Sequence, residues 1–112
     1  MSAEKLSCVV PVDDLPAAVS WWSRTLGIEA TFVDGDRWAQ FALGGTRLAL
    51  AGADRSDDRA GILVKVADVE ASRAELVSTG IEVSAIERGP HEFRCVLEGP
   101  GGVAVTLYSP AG

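Results

Sequence analysis

Apolar and polar residues alternate along this chain with a period that changes from strand-like to helix-like and back. Residues 7–12 have the composition of a strand, and apolar positions on one helical face follow them. Asp14 or Asp13 can cap that helix at its start, and Gly27 can end it in a left-handed conformation. After this helix the pattern predicts three more strands, near residues 29–33, 37–43 and 46–51.

The same order of elements occurs a second time. Residues 10–18 align with residues 64–72, and each predicted helix ends at a glycine, Gly27 or Gly80. The second copy predicts a strand near 62–66, a helix at 69–79 and strands near 82–87, 93–97 and 103–108. This repeat predicts a single domain over residues 1–112, made of two βαβββ modules. The predicted parts are module one at about 5–52, a linker at about 53–60 and module two at about 61–110. The charged linker is predicted to be a solvated connection without a further role.

The two faces of the predicted strands differ in composition. One set of alternating positions is apolar throughout: Cys8, Val10, Val12, Leu48, Leu50, Ile62, Val64, Val66, Val103, Val105 and Leu107. We expect this set to pack beneath the helices. The opposite set is smaller and partly polar. Because helices cover only one face of such a sheet, we expect the other face to form a hollow.

Charge and composition exclude several classes of partner. The chain has 112 residues, with 10 basic and 16 acidic side chains and a net charge of −6. Both halves are acidic, so we expect no nucleic-acid partner and no binding to an anionic membrane. No segment reaches the roughly 18 apolar residues of a membrane span, and the chain shows no signal segment. We therefore expect a cytoplasmic protein, with Cys8 and Cys95 as buried free thiols.

Two short motifs carry a resemblance to a known family. Each predicted helix follows the pattern V-x-D-[LV]-x-x-[AS], which begins at Val12 in one copy and at Val66 in the other. Paired βαβββ modules with this motif resemble the vicinal oxygen chelate superfamily, which includes glyoxalase I, extradiol dioxygenases and bleomycin-resistance proteins. The resemblance extends from Leu6 to Pro110. It implies an α+β fold with curved, mostly antiparallel sheets and helices on the outside.

The metal site of that superfamily has no counterpart in this sequence. The family's enzymes hold a divalent metal with His, Gln or Glu at the start of the first strand and on the last strand of each module. Counting from the motifs places Ser7, Ala49, Gly61 and Thr106 at those four positions. None of them is a usual ligand of such a metal. We therefore predict no metal, no cofactor and no catalytic residue. His91, in a predicted turn, is either a surface residue or a general acid or base.

The open strand positions supply the candidate ligand-binding residues. They are Ser7, Val9, Trp38, Gln40, Arg47, Ala49, Gly61, Leu63, Lys65, Phe93, Thr106 and Tyr108. Trp38 and Phe93 either form stacking walls, with Tyr108 near the floor, or plug the core. Arg47 and Lys65 are either solvated or hold a carboxylate or phenolate of the ligand.

These observations favour a metal-independent protein that binds a small molecule. The resemblance to bleomycin-resistance proteins implies sequestration of an antibiotic or another metabolite by a homodimer. The acidic net charge of −6 and the small residues of the hollow suit a bulky aromatic or cationic guest. The alternative is a diverged lyase, isomerase or dioxygenase with a non-standard active site. A third possibility is a scaffold or regulatory protein whose hollow is filled by its own side chains.

Overall fold

The computed structural model describes residues 2–111 and shows the βαβββ order twice. Module one comprises β1 Lys5–Pro11, α1 Leu15–Leu26, β2 Phe32–Asp34, β3 Trp38–Leu43 and β4 Thr46–Ala51. Module two comprises β5 Gly61–Lys65, α2 Val69–Ser78, β6 Glu87–Arg88, β7 Glu92–Glu98 and β8 Ala104–Pro110. The predicted α+β fold is confirmed.

All strands belong to one curved sheet of eight strands, in the order β2-β3-β4-β1-β5-β8-β7-β6. The first strands of the two modules, β1 and β5, are antiparallel neighbours at its centre. Within each module the first and last strands pair in parallel, and the remaining pairs are antiparallel. The central β1–β5 pair therefore joins the modules into one continuous surface.

Both helices begin at an aspartate. The Asp14 side chain accepts a hydrogen bond from the backbone N–H of Ala17, so Asp14 rather than Asp13 caps α1. Asp68 accepts from the N–H groups of Glu70 and Ala71 at the start of α2. These carboxylates satisfy amides that have no partner within the helix. Gly27, with φ of 72°, ends α1 in the left-handed conformation that glycine adopts without strain.

Two separate apolar clusters hold the helices to the sheet. Beneath α1 the buried residues are Leu15, Ala39, Phe41 and Leu50. Beneath α2 they are Val64, Val66, Val69, Cys95 and Leu107. Nine of the eleven predicted apolar strand positions belong to these clusters or pack against them, and Cys8 and Val103 do not. The backbone of α1 lies closest to β3 and β4, and that of α2 lies closest to β7 and β8. Val10 of β1 and Val64 of β5 reach the two clusters from the centre of the sheet.

This helix placement corrects the prediction for the two cysteines. Cys95 is buried, but Cys8 is exposed because it lies on the part of β1 that no helix covers. Leu6 on the same strand is 59% exposed for the same reason. Both thiols are free.

Three other predictions need correction. The strands predicted near 29–33 and 82–87 are shorter, Phe32–Asp34 and Glu87–Arg88. The linker is not a solvated connection, because the Arg55 side chain donates to the carbonyl oxygens of Gly52 and Val12 and holds the linker to module one.

Within residues 2–111, no helix is long and apolar enough to cross a membrane.

Candidate functional site

A cavity of about 350 Å³ lies on the open face, which is the face of the sheet opposite the helices. Seven of the predicted ligand-binding residues line it: Ser7, Trp38, Gln40, Arg47, Leu63, Thr106 and Tyr108. The register explains this convergence, since Leu63 lies opposite Ser7 on one side and beside Thr106 on the other. Both modules of one chain therefore build the cavity.

The floor of the cavity is narrow and polar. Ser7 and Thr106 are 5% and 4% exposed, and the hydroxyl groups of Thr106 and Ser56 lie 2.9 Å apart. Ser56 belongs to the linker, so the linker closes the cavity over the last strand of module two. The hydroxyl groups can therefore accept or donate hydrogen bonds at the base of a bound molecule.

Five of the predicted residues lie outside the cavity, and four of them, all except Phe93, do so for different local reasons. Val9 borders only a small hollow of about 10 Å³ beside it. Ala49 is on the open face but is 1% exposed. Gly61 lies against β8, where a Cβ atom would collide with the backbone oxygen of Ala104. Lys65 does not line the cavity, whereas its cross-strand partner Lys5 does.

Phe93 lies outside the cavity, and of the two alternatives for this residue the structure shows the second, packing into the core. Phe93 packs against the apolar cluster beneath α2, and the Arg88 guanidinium lies 5.3 Å from its ring centroid. Gln40 lies opposite Ala49 in module one, and Val96 lies opposite Thr106 in module two. Because Ala49 and Thr106 are equivalent positions, Gln40 corresponds to Val96.

It follows that the module-two counterpart of Trp38 is Arg94. An alignment of the two modules with a two-residue insertion in the second would instead pair Trp38 with Phe93, one residue earlier. A shift of one residue moves a side chain to the other face of a strand. Trp38 and Ala49 lie 11 residues apart, and Arg94 and Thr106 lie 12 residues apart, so module two has one inserted residue between these strands.

Arg94 is the most enclosed charged group of the cavity, with a side chain that is 15% exposed. Its Nη1 donates to Asp54 Oδ1 at 2.9 Å and to Glu92 Oε1 at 3.2 Å. Its Nε atom is buried and has no hydrogen-bond partner among the described residues. The Asp54–Arg94 pair fastens the linker to β7 and forms one side wall of the cavity.

The charges around the cavity are unequally compensated. Asp34 faces Arg37 at 3.7 Å, and the carboxylates of Asp54 and Glu92 both contact Arg94. Lys5 and Arg47 form no ion pair within residues 2–111. The positive charges at the cavity rim are therefore the unpaired ones.

Tyr108 presents its hydroxyl group to this environment. Burial raises the pKa of the Tyr108 phenol above its ordinary value; nearby Arg47 opposes this shift and Glu92 adds to it. The phenol therefore keeps its proton at neutral pH and can donate a hydrogen bond.

Eight cavity residues were missed by the sequence analysis. They are Lys5, Phe32, Asp34, Asp54, Ser56, His91, Glu92 and Arg94. Lys5 has the same strand parity as Ser7, and Glu92 and Arg94 alternate with the apolar residues of β7. The alternation of side chains along a strand could therefore have placed these three residues on the open face. Asp54, Ser56 and the exposed His91 lie in connections, for which alternation gives no orientation.

The donor set does not fit the divalent metal of the family's enzymes. Of the four corresponding positions, Ala49 and Gly61 have no donor atom, and the hydroxyl groups of Ser7 and Thr106 are weak neutral ligands. In the described part of the chain, no three side chains among His, Cys, Asp and Glu are grouped so that they could hold a metal ion. Asp54 and Glu92 already bind the Arg94 guanidinium.

A tandem βαβββ sheet with a cavity on its open face defines a class of protein, and the sequence identifies the family. Residues 6–107 match the profile of the Glyoxalase/Bleomycin resistance protein/Dioxygenase superfamily. The chain belongs to this superfamily. No curated protein matches the sequence.

Solved structures show the same architecture. Methylmalonyl-CoA epimerase from Mycobacterium tuberculosis is 25% identical, with a TM-score of 0.68, and the match covers 98% of this chain and 90% of that one. A superfamily member from Vibrio splendidus 12B01 is 16% identical, with a TM-score of 0.68 and coverage of 94% and 97%. A chain described as NAD-dependent benzaldehyde dehydrogenase from Legionella pneumophila is 12% identical, with a TM-score of 0.83 and coverage of 94% and 98%. The last two similarities concern the fold alone.

Proposed function

We propose that this protein binds a small molecule in the open-face cavity without a metal ion. The observation that carries this proposal is the cavity itself: about 350 Å³, built by both modules, in a site without a metal-binding donor set. This volume is within the range of ligand pockets and can enclose a molecule of two or three rings.

The lining favours a flat apolar guest with polar groups at one end. Trp38, Phe32 and Tyr108 offer aromatic surface, and Leu63 adds an apolar patch to the floor. Gln40 and the hydroxyl groups of Ser7 and Thr106 supply hydrogen-bonding groups that can orient the guest. Sequestration of an aromatic antibiotic or metabolite is the activity that this lining supports.

An enzymatic function is the second candidate. The observation in its favour is the 25% identity to a methylmalonyl-CoA epimerase over nearly the whole chain. A lyase or isomerase would need a proton acceptor beside the substrate, and Glu92, Asp54 and His91 border the cavity. Both carboxylates are engaged by Arg94, which favours binding over proton transfer. Turnover of the bound molecule, followed by mass spectrometry, decides between the two functions.

We further propose that the protein is a cytoplasmic homodimer. Leu6 on the uncovered centre of the helix side and Trp21 on α1 are 59% and 52% exposed, and burial against a second copy would stabilise both. The two free thiols suit a reducing compartment. Light scattering at tens of micromolar should give twice the mass of 11.7 kDa, and a monomeric mass would contradict the proposal.

The binding function is tested by a thermal-shift screen combined with variants that fill the cavity. A library of antibiotics and natural products balanced in charge is screened against the purified protein, whose metal content is measured by elemental analysis. A ligand present at 100 times its Kd should stabilise the native state by about 2.7 kcal/mol. Gln40→Trp or Thr106→Trp should abolish the shift given by each hit.

Ala74→Trp is the matched control for these variants. Ala74 lies on α2, where it is exposed and outside the cavity. Hits should bind this variant as they bind the parent. The proposed function would be overturned if the hits bind the Gln40→Trp variant as they bind the parent. Stoichiometric, tightly held metal in the purified protein would also overturn it.

A further inference from the structure

The charges around the cavity define the class of ligand. We propose that the ligand is an organic anion, a flat ring system with one negatively charged oxygen group that Arg47 and Lys5 bind. This inference rests on the proposed binding function and names its ligand class. It is opposite in sign to the cationic guest that the net charge of −6 suggested.

The first argument is charge compensation at the cavity. Each carboxylate that lines it lies within 4 Å of an arginine: Asp34 near Arg37, and Asp54 and Glu92 on Arg94. Lys5 and Arg47 have no such partner among residues 2–111. Arg94 carries one positive charge against the two carboxylates of Asp54 and Glu92, so one net negative charge stays on the module-two side of the cavity. An anion that enters beside Lys5 and Arg47 instead gains two positive charges that have no ion-pair partner among residues 2–111.

The second argument is the position of the two cations on neighbouring strands. Lys5 on β1 and Arg47 on β4 share the open face, and the β1–β4 register places Arg47 beside Ser7. Two residues along a strand and one strand across separate the two Cα atoms by about 8 Å. Both side chains are longer than half of this distance, so their charged ends can meet on one carboxylate or phenolate.

The third argument is the neutral donor nearby. Burial raises the pKa of Tyr108, so its phenol keeps the proton at neutral pH, and the positive charge of Arg47 opposes this shift. A protonated phenol donates a hydrogen bond to an anionic oxygen, which strengthens the bond relative to that of a neutral acceptor. On the module-one side, Trp38 and Phe32 supply the surface for the ring system.

The test uses three probes of the same shape and different charge: 2-naphthoate, 2-naphthamide and 2-naphthamidine. Their dissociation constants are measured at neutral pH by calorimetry or by ligand-observed NMR. We expect 2-naphthoate to bind at least about tenfold more tightly than 2-naphthamide, and 2-naphthamidine to bind most weakly. Raising the salt concentration should weaken the binding of 2-naphthoate and leave that of 2-naphthamide unchanged.

Variants assign the anion to its residues. Arg47→Gln, and separately Lys5→Gln, should weaken 2-naphthoate binding about tenfold and leave 2-naphthamide binding unchanged. The matched control is Arg24→Gln, which makes the same charge change at an exposed position in the last turn of α1. This control should bind all three probes like the parent. Arg47 and Lys5 are exposed, and melting curves verify that both variants fold.

The outcomes separate this inference from the proposed function. Equal affinity for the acid and the amide, or tighter binding of the amidine, overturns the anion inference. If the Gln40→Trp variant no longer binds those probes, the proposed binding function stands. If no probe binds, the anion inference also fails, and the thermal-shift screen then tests the proposed binding function. Hits that bind the parent but not the Gln40→Trp variant support that function. A screen without such hits overturns it.

Discussion

Module one and module two place a leucine at the same point of their last strands, and each leucine is buried beneath its own module's helix. Leu50 in β4 is 0% exposed and Leu107 in β8 is 2% exposed. The modules also begin their helices alike, with Asp14 and Asp68 as caps. On the helix side, the two halves of the molecule therefore share an aspartate cap and a buried leucine on the last strand, although the other buried residues differ.

On the open face the same two modules differ at every equivalent cavity position. Trp38 of module one corresponds to Arg94 of module two, Gln40 to Val96, and Ala49 to Thr106. Module one contributes Trp38 and Phe32 to the cavity, and module two contributes Tyr108 and the salt-bridged Arg94. The hydroxyl floor combines Ser7 of module one with Thr106 of module two. Because the helix side supplies the burial that folds each module, the open face can diverge without loss of the fold. An asymmetric cavity is the result.

The largest expected effects test whether the apolar clusters beneath the two helices contribute equally to the free energy of unfolding. Leu50→Ala and Leu107→Ala each remove buried apolar atoms and should each reduce the free energy of unfolding by about 2–5 kcal/mol. The two losses should agree within about 1 kcal/mol, since both leucines are nearly fully buried. Urea unfolding followed by circular dichroism measures both. A loss below about 1 kcal/mol for either variant would show that the two cores are not equivalent.

The next effects test the difference between the modules at Trp38 and Arg94. Arg94→Met leaves the enclosed carboxylates of Asp54 and Glu92 without their partner and should lower stability by about 2 kcal/mol. The matched control, Arg88→Met, removes an exposed arginine above Phe93 and should cost a few tenths of a kcal/mol, about 0.5. Trp38→Ala should chiefly impair ligand binding, with a smaller loss of stability. Equal melting temperatures for Arg94→Met and Arg88→Met would contradict a stabilising role for the Asp54–Arg94 pair.

A smaller effect compares the two helix caps. Asp68 accepts hydrogen bonds from two backbone N–H groups and Asp14 from one. Replacement of either by alanine should cost about 1 kcal/mol, with the larger loss for Asp68→Ala. Melting temperatures should fall by a few degrees, about 3–6 °C. The asparagine variants keep a capping oxygen and should melt close to the parent. A larger loss of stability for Asp14→Ala than for Asp68→Ala would contradict the expected order of the two caps.

The smallest expected effect is a decline of stability at alkaline pH. Burial raises the pKa of the Cys95 thiol above 9.0 and that of the Tyr108 phenol above 10.0. In the unfolded chain these groups lose their protons at lower pH than in the folded protein. The unfolded state then binds fewer protons, so the free energy of unfolding falls as the pH rises above about 9. Tyr108→Phe should reduce the slope between about pH 10 and 11, and an unchanged slope would exclude a contribution from Tyr108.

The features that repeat in the sequence could be predicted from it. The paired aspartate caps, the glycine after α1 and the apolar strand positions all depend on local periodicity, which both copies show. Seven cavity residues followed from the alternation of their strands. For these residues the register was set by long, regular strands with a short connection, such as β3 and β4.

The rest depended on contacts between distant parts of the chain. The β7–β8 connection is longer than its counterpart, and only the paired strands show which residue of β7 corresponds to Trp38. The linker appeared solvated because its charges are dense, yet Arg55 and Asp54 find partners in different modules. Alternation within β7 did contain the correct orientation of Phe93, since Phe93, Cys95 and Leu97 share the apolar parity.

The antiparallel pairing of β1 with β5 has a consequence for biosynthesis. Every strand of module one lies within residues 5–51, so this half can complete its own apolar cluster before β5 leaves the ribosome. During that interval one edge of β1 is unpaired, and an unpaired strand edge can pair with another chain. Two nascent copies on one messenger RNA expose the same edge. The β1–β5 pairing, which joins the two modules around the cavity, is therefore also the point at which an exchange of modules between two chains would begin.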